Sequence, residues 1–159
     1  MTDWMEATFA RDRSDGFDIA STEQRWGQVD TRITLVCGPP GGGKSTYVQQ
    51  EASPDDVIVD YDRLVGAIHV GPSHREGTSQ AVVAARGALL DRARAGTLQT
   101  ARVFIVSANP NAELLFPHHD RVLCDPGRDV AAERCLQAGR PAAWLVAVDD
   151  WYRNRKVPA

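Results

Sequence analysis

Lysine is almost missing from this sequence: the 18 basic residues among its 159 include two lysines, Lys44 and Lys156. Positive charge therefore rests on arginine, which a GC-rich coding sequence explains as readily as a demand for bidentate phosphate contacts. A basic field is missing too. The formal net charge is −3 and the isoelectric point is near 5.8, so long nucleic acid cannot be held by bulk electrostatics and any such contact must be local. No stretch approaches the roughly 20 apolar residues that cross a bilayer. Asp3 and Glu6 stand where a signal peptide would be basic and then apolar, so the expectation is a cytoplasmic protein without a membrane partner. The three cysteines, Cys37, Cys124 and Cys135, are odd in number and have no close-pair spacing, which argues against both a disulfide framework and a zinc site. His118-His119-Asp120 has no third ligand spaced nearby and reads as a polar turn. Internal repeats and low-complexity tracts are absent.

What is present is enough apolar residue, 43%, for one core and too little chain for a comfortable second domain. Residues 1–31 are polar and mixed in charge, an arm that either packs across the domain or is partly disordered; the domain proper runs over 32–159. Ile33 to Cys37 is a short apolar run ending at glycines, the pattern of a buried parallel strand. A helix is predicted from Lys44 to about Ala52, stopped by Ser53-Pro54, and a second strand over Val57–Asp60. Helices over Asp62–Val70 and Ser79–Ala95 follow, the latter ending at Gly96, with Arg86 among its interleaved charges. Arg102–Val106 is strand three, Asn109-Pro110 opens a helical turn through Leu115, and Arg121–Cys124 is strand four. Helices over Asp129–Ala138 and Ala142 to about Arg153 close the chain. This alternation predicts a three-layer α/β fold with a short parallel sheet of four to five strands between helices.

Between strand one and its helix lies Gly38-Pro39-Pro40-Gly41-Gly42-Gly43-Lys44-Ser45, the spacing Gly-x-x-x-x-Gly-Lys-Ser of a phosphate-binding loop in the strand-to-helix context its mechanism requires. Glycines there let successive amides turn inward, the helix start adds partial positive charge, and Lys44 reaches the β- and γ-phosphates. Ser45 supplies a hydroxyl for Mg²⁺, and the neighbouring Thr46 is placed to touch the α-phosphate. A plain glycine turn would need neither Lys44 nor Ser45. The expected ligand is ATP with Mg²⁺, bound by Gly38, Gly41, Gly42, Gly43, Lys44, Ser45 and Thr46.

The third strand ends in Ser107-Ala108-Asn109 without the carboxylate that P-loop ATPases place there, which tilts against a motor or switch. The acids nearest a strand end are Asp60 and Asp62. Asp60 can serve as general base and as a second metal contact, with Arg63 holding an acceptor phosphate; the plainer alternative is that Asp60 ends a strand and Asp62 caps the next helix. Arg134 and Arg140, in a segment over 128–141 that resembles a lid, either close over the triphosphate or are solvated helix charges. Trp144, Leu145, Val148, Trp151 and Tyr152 share one helical face and read as packing. His69 and His74 flank a Gly-Pro turn.

These residues resemble the polynucleotide-kinase-like branch of small P-loop kinases. The resemblance rests on the loop Gly38–Thr46, on Asp60-Tyr61-Asp62-Arg63 one strand later and on Arg134–Arg140 before a final helix. It implies that Asp60 is the general base, that Arg63 aids the acceptor side and that Arg134 or Arg140 is the lid arginine. Ser107-Ala108-Asn109 keeps only the Asn of an Asp-Thr-Asn segment found in the family. The closing Trp151-Tyr152-Arg153 is similar to small P-loop proteins encoded by phages of actinobacteria. The resemblance implies transfer of the ATP γ-phosphate to a nucleic-acid hydroxyl, at a single-stranded 5′ end or on a hydroxymethylated base. A small-molecule kinase fits the acidic isoelectric point, and an ATP-binding module acting with a partner protein is the alternative outside enzymology. A groove too narrow for duplex and lined by Arg63, Arg75 or Arg86 would favour the single-stranded end, a closed pocket the small molecule.

Overall fold

The computed structural model describes residues 30–68 and 76–156. The expected arm over residues 1–31 lies almost wholly outside them, as do His69, His74 and Arg75. Four parallel strands, β1 (Arg32–Cys37), β2 (Val57–Asp60), β3 (Arg102–Ser107) and β4 (Asp120–Leu123), lie in the order β2-β3-β1-β4. The helices are α1 (Lys44–Glu51), α2 (Tyr61–Ile68), α3 (Glu76–Arg94), α4 (Ala112–Leu115), α5 (Arg128–Gln137) and α6 (Ala143–Asn154).

Strands buried on both faces carry near-continuous apolar runs, and the central pair, β1 and β3, is the one whose residues are almost all buried. Alternate side chains then divide between the two faces. Ile33, Leu35, Val103, Ile105 and Val59 point to the face covered by Leu90 and Ala93 of α3. Val36, Phe104 and Val106 pack with Val48 of α1 on the other. A third cluster, Ala131, Cys135 and Val148, joins α5 to α6.

Boundaries shift by a residue or more from the sequence expectation. The long helix begins at Glu76 rather than Ser79, and β4 begins at Asp120 because its start is pinned to β1. Arg32 and Asp120 form an ion pair there, and His119 Nδ1 accepts the Ile33 N–H at 2.9 Å while the main-chain N–H of His119 donates to the Ile33 carbonyl at 2.8 Å. Of the predicted polar turn His118-His119-Asp120, Asp120 is thus the first residue of β4, while His118 and His119 lie in the connection before it. Gly96 and Gly139 do end α3 and α5. Gly139 has φ 61°, its N–H donates to the Leu136 carbonyl and the Arg140 N–H to that of Cys135 at 3.0 Å, a paired C-terminal cap that needs a left-handed residue.

Sheet order decides where the cleft falls. The chain leaves β1 past β3 toward β2 and leaves β3 past β1 toward β4, so the two connections run in opposite directions from the β1/β3 pair, and the strands' C-terminal ends there are where open α/β sheets hold ligands. β3 separates Asp60's strand from β1. At the usual strand spacing that puts β2 roughly 10 Å from β1.

Candidate active site

A cleft of about 920 Å³ lies over the C-terminal ends of the strands, and Lys44, Ser45, Thr46, Asp60, Arg86, Asn109, Arg134, Arg140 and Trp144 are among the residues that line it. Its floor is the glycine loop. A Cβ at Gly38 would overlap the Cys124 carbonyl, because the loop passes directly beside the residue that follows β4. Gly41 has φ 74°, and a Cβ there would overlap the Ala131 carbonyl and sit 3.1 Å from the Cys135 sulfur. Only glycine lets the loop lie this close to α5 with an inward-turned backbone. At the first turn of α1 the N–H groups have no partners within the helix and open toward the cleft, where Ser45 and Thr46 are exposed.

Lys44 lies against the loop, its Nζ donating to the Gly38 carbonyl at 3.0 Å and to the Pro39 carbonyl at 2.6 Å. Burial lowers its pKa, with Cys124, Asp60 and Asp62 pulling the other way. Asp60 is 6% exposed. Its Oδ1 accepts the Asp62 N–H at 3.0 Å, so Asp60, not Asp62, caps the following helix, which starts at Tyr61 rather than Asp62. Burial raises the Asp60 pKa; the hydrogen bond from Asp62 opposes that, the charge of Asp62 adds to it, and Arg63 and Lys44 lower it. The result is a desolvated carboxylate with raised proton affinity facing a cleft, one of the arrangements that general bases use.

The arginines do not sort as expected. Arg63 is exposed on α2 and is not among the residues lining the cleft. Arg86 is among them. Its Nη2 donates to the Val106 carbonyl at 3.0 Å and its guanidinium lies 4.7 Å over the Phe116 ring. The signal for it was in the helical spacing: Arg86 falls four residues after Val82 and four before Leu90, both buried, so it stands on the core stripe of α3 rather than among its solvated charges. Arg134 lines the cleft from α5, with Nη1 3.4 Å from the Gly41 carbonyl. Arg140 lies 4.6 Å over the Trp144 ring, and both line the cleft. Of the aromatic face of α6, Val148 and Trp151 are packing as expected, while Trp144 has one face toward the cleft.

β3 ends in Ser107, whose hydroxyl accepts the Asn109 N–H at 3.2 Å, and no carboxylate follows it. Among the described residues no group of three or more His, Cys, Asp and Glu is gathered for a metal ion, and no helix is long and apolar enough to cross a membrane.

No protein-family model matches the chain, and no curated protein matches it. Among solved structures it is similar to a chain of the "Structure of the Pnkp1/Rnl/Hen1 RNA repair complex", with a TM-score of 0.59 and 13% identity over 85% of this chain. The likeness is one of fold. This chain spans about half, 49%, of the length of that one. The expected α/β architecture, a four-stranded parallel sheet between helices, is borne out.

Proposed function

We propose that the chain is an ATP-dependent phosphotransferase that moves the γ-phosphoryl group to a hydroxyl of a nucleic acid. The observation that carries this reading is the meeting of buried Asp60 and the glycine loop with Lys44 in one cleft. The loop fits a triphosphate because the places a Cβ would fill at Gly38 and Gly41 are where main chain passes closest, which leaves amides rather than side chains to meet phosphate oxygens. Lys44 would exchange its two carbonyl partners for the β- and γ-phosphates. Ser45 would hold Mg²⁺, which keeps several waters and takes one or two protein ligands; bound there it would neutralise charge on the phosphate oxygens.

In transfer, the acceptor hydroxyl loses its proton to Asp60 Oδ2 as its oxygen bonds to the γ-phosphorus. The bond from that phosphorus to the β,γ-bridging oxygen breaks, and ADP leaves with the electron pair. Arg134 and Arg140 lie on the lid side of the loop, where a guanidinium stabilises charge spread over the moving phosphoryl group. Arg140 would leave the Trp144 face to reach it. Support for a nucleic-acid acceptor comes from Arg86 lining the cleft and from the fold neighbour's place in an RNA repair complex.

The test is γ-labelled ATP offered with 5′-hydroxyl oligonucleotides, hydroxymethyl-pyrimidine DNA and free nucleosides. Label on an oligonucleotide or a modified base is the expected result. Label confined to nucleosides would make the chain a small-molecule kinase, and slow ATP hydrolysis with no labelled acceptor would make it a partner-dependent ATP-binding module.

A further inference from the structure

Resting on the reading of the glycine loop as a triphosphate seat, we propose that Asp125 is a positioning residue for that loop. Held by Tyr152 and Arg155 at the end of α6, it sets the connection between β4 and α5 against the phosphate loop and so fixes the shape in which the loop meets a nucleotide.

One main-chain carbonyl meets the phosphate loop at two places. Cβ atoms at Gly38 and at Gly42 would both overlap the carbonyl of Cys124, so a small displacement of Cys124 either crowds the loop or leaves it unsupported. The Cys124 N–H donates to the Cys37 carbonyl at 2.8 Å, which fixes the residue from the side of β1. Asp125 fixes it from the other side. Its Oδ1 accepts the Gly127 N–H at 3.1 Å and the Tyr152 hydroxyl at 2.5 Å, and its Oδ2 lies 3.5 Å from Arg155 Nη1. A hydroxyl that close to a carboxylate makes a charge-assisted bond, stronger than a neutral one. Burial, and then the bond to Asp125, raise the Tyr152 pKa, so the phenol remains a donor at neutral pH. The Asp125 and Arg155 side chains are 21% and 10% exposed, which screens their pair less than an ion pair at the open surface. Arg155 also lies 4.9 Å over the ring of buried Trp151. The same end of α6 grips a second connection. The Asn154 carbonyl accepts from Asn111 Nδ2 at 3.2 Å, the Lys156 N–H donates to Asn111 Oδ1 at 3.0 Å, and the Asn111 N–H donates to Oδ1 of Asn109, which lines the cleft, at 2.8 Å. Residues 152–156 thus tie together the connections that follow β3 and β4, the two strands that flank β1 and its loop. Such a tie does no chemistry, but it holds the loop in shape before a nucleotide arrives, and a site shaped in advance binds more tightly.

The experiment titrates the magnesium salts of ADP and of a non-hydrolysable ATP analogue into the full chain by calorimetry, with a melting curve for every variant. Asp125→Ala and Tyr152→Phe are expected to weaken binding by roughly threefold to thirtyfold, the range in which residues remote from a ligand act on it. The double variant should lose little more than Asp125→Ala alone, because both substitutions break one contact. Asp125→Asn keeps an oxygen for the Gly127 N–H and the Tyr152 hydroxyl and should recover most of the affinity. Arg153→Gln, next along α6 and exposed, should leave binding unchanged. Lower melting temperatures with affinities within about twofold of the wild type would make the cluster a staple of the fold and overturn the proposal, as would losses that add in full in the double variant. Should Asp125→Ala fail to melt cooperatively, Tyr152→Phe decides, since it removes a single hydroxyl. Binding is read here without transfer, which keeps the two ideas apart. A wild type that binds both nucleotides and labels no acceptor retires the kinase and leaves Asp125 to the affinity ratios; a wild type that binds neither retires both.

Discussion

Replacing Asp60 by Asn separates the helix cap that its side chain forms from the general-base role proposed for it. Oδ1 of Asp60 accepts the Asp62 N–H at 3.0 Å and so caps α2. Asparagine caps helices about as well as aspartate, so Asp60→Asn keeps that bond while it removes a charge that burial already disfavours. The folded-state pKa of Asp60 is raised, hence ionised Asp60 weakens the fold at pH values above its folded pKa, and that cost disappears as pH falls through it. Asp60→Asn is therefore expected to be as stable as the wild type or more so at pH 7, with a flatter pH dependence. Asp60→Ala loses the cap, about 1 kcal/mol, or a melting temperature lower by about 3 °C for a chain of this size. The chemistry is expected to respond alike in both: loss of a general base slows transfer by roughly 10²–10⁴. The assays are a melting curve, a single-turnover transfer measurement and calorimetry with MgATP, whose affinity should stay within a few fold. Full transfer by Asp60→Asn would refute the general base. A melting temperature as low as that of Asp60→Ala would refute the cap.

Gly41→Ala forces a Cβ onto the Ala131 carbonyl at φ 74°; left-handed strain plus overpacking predicts a loss of about 2–4 kcal/mol and a weaker response of the melting temperature to MgATP. At the opposite end of the sheet, Arg102 binds Asp56 through Nη2 at 2.6 Å and Nε at 3.0 Å, and that contact holds the Asp56 carboxyl below its usual pKa. The stabilisation is present above the unfolded value near 3.9 and fades as pH falls below it. Asp56→Asn should thus cost about 1–3 kcal/mol at pH 7 and show less further loss on acidification than the wild type, as followed by urea titrations at pH 7 and pH 3. Arg140→Ala uncovers the Trp144 ring; if Arg140 moves to the phosphates, MgATP changes tryptophan emission in the wild type and much less in this variant, with transfer slowed at an unchanged melting temperature.

Local chemistry made much of this molecule legible before any coordinates. Strands one and three read correctly because a parallel strand covered on both faces must be apolar throughout, and the glycine turn between strand one and its helix read correctly because its backbone conformation is a local requirement. The stops at Gly96 and Gly139 followed from the left-handed residue each cap demands. Near β4 the same reasoning slipped: His119 and Asp120 look like turn residues until Ile33 and Arg32 of β1 stand opposite them.

Sequence alone, then, determined the α/β alternation and the loop between β1 and α1, since both rest on contacts between near neighbours along the chain. Tertiary structure decided the rest. It inserted β3 between β1 and β2, buried Asp60, left Arg63 in solvent and brought Arg86 from α3 into the cleft. Those outcomes depend on which surfaces meet across 20 residues or more of intervening chain, and no local pattern encodes the desolvation or the partners that follow from that meeting.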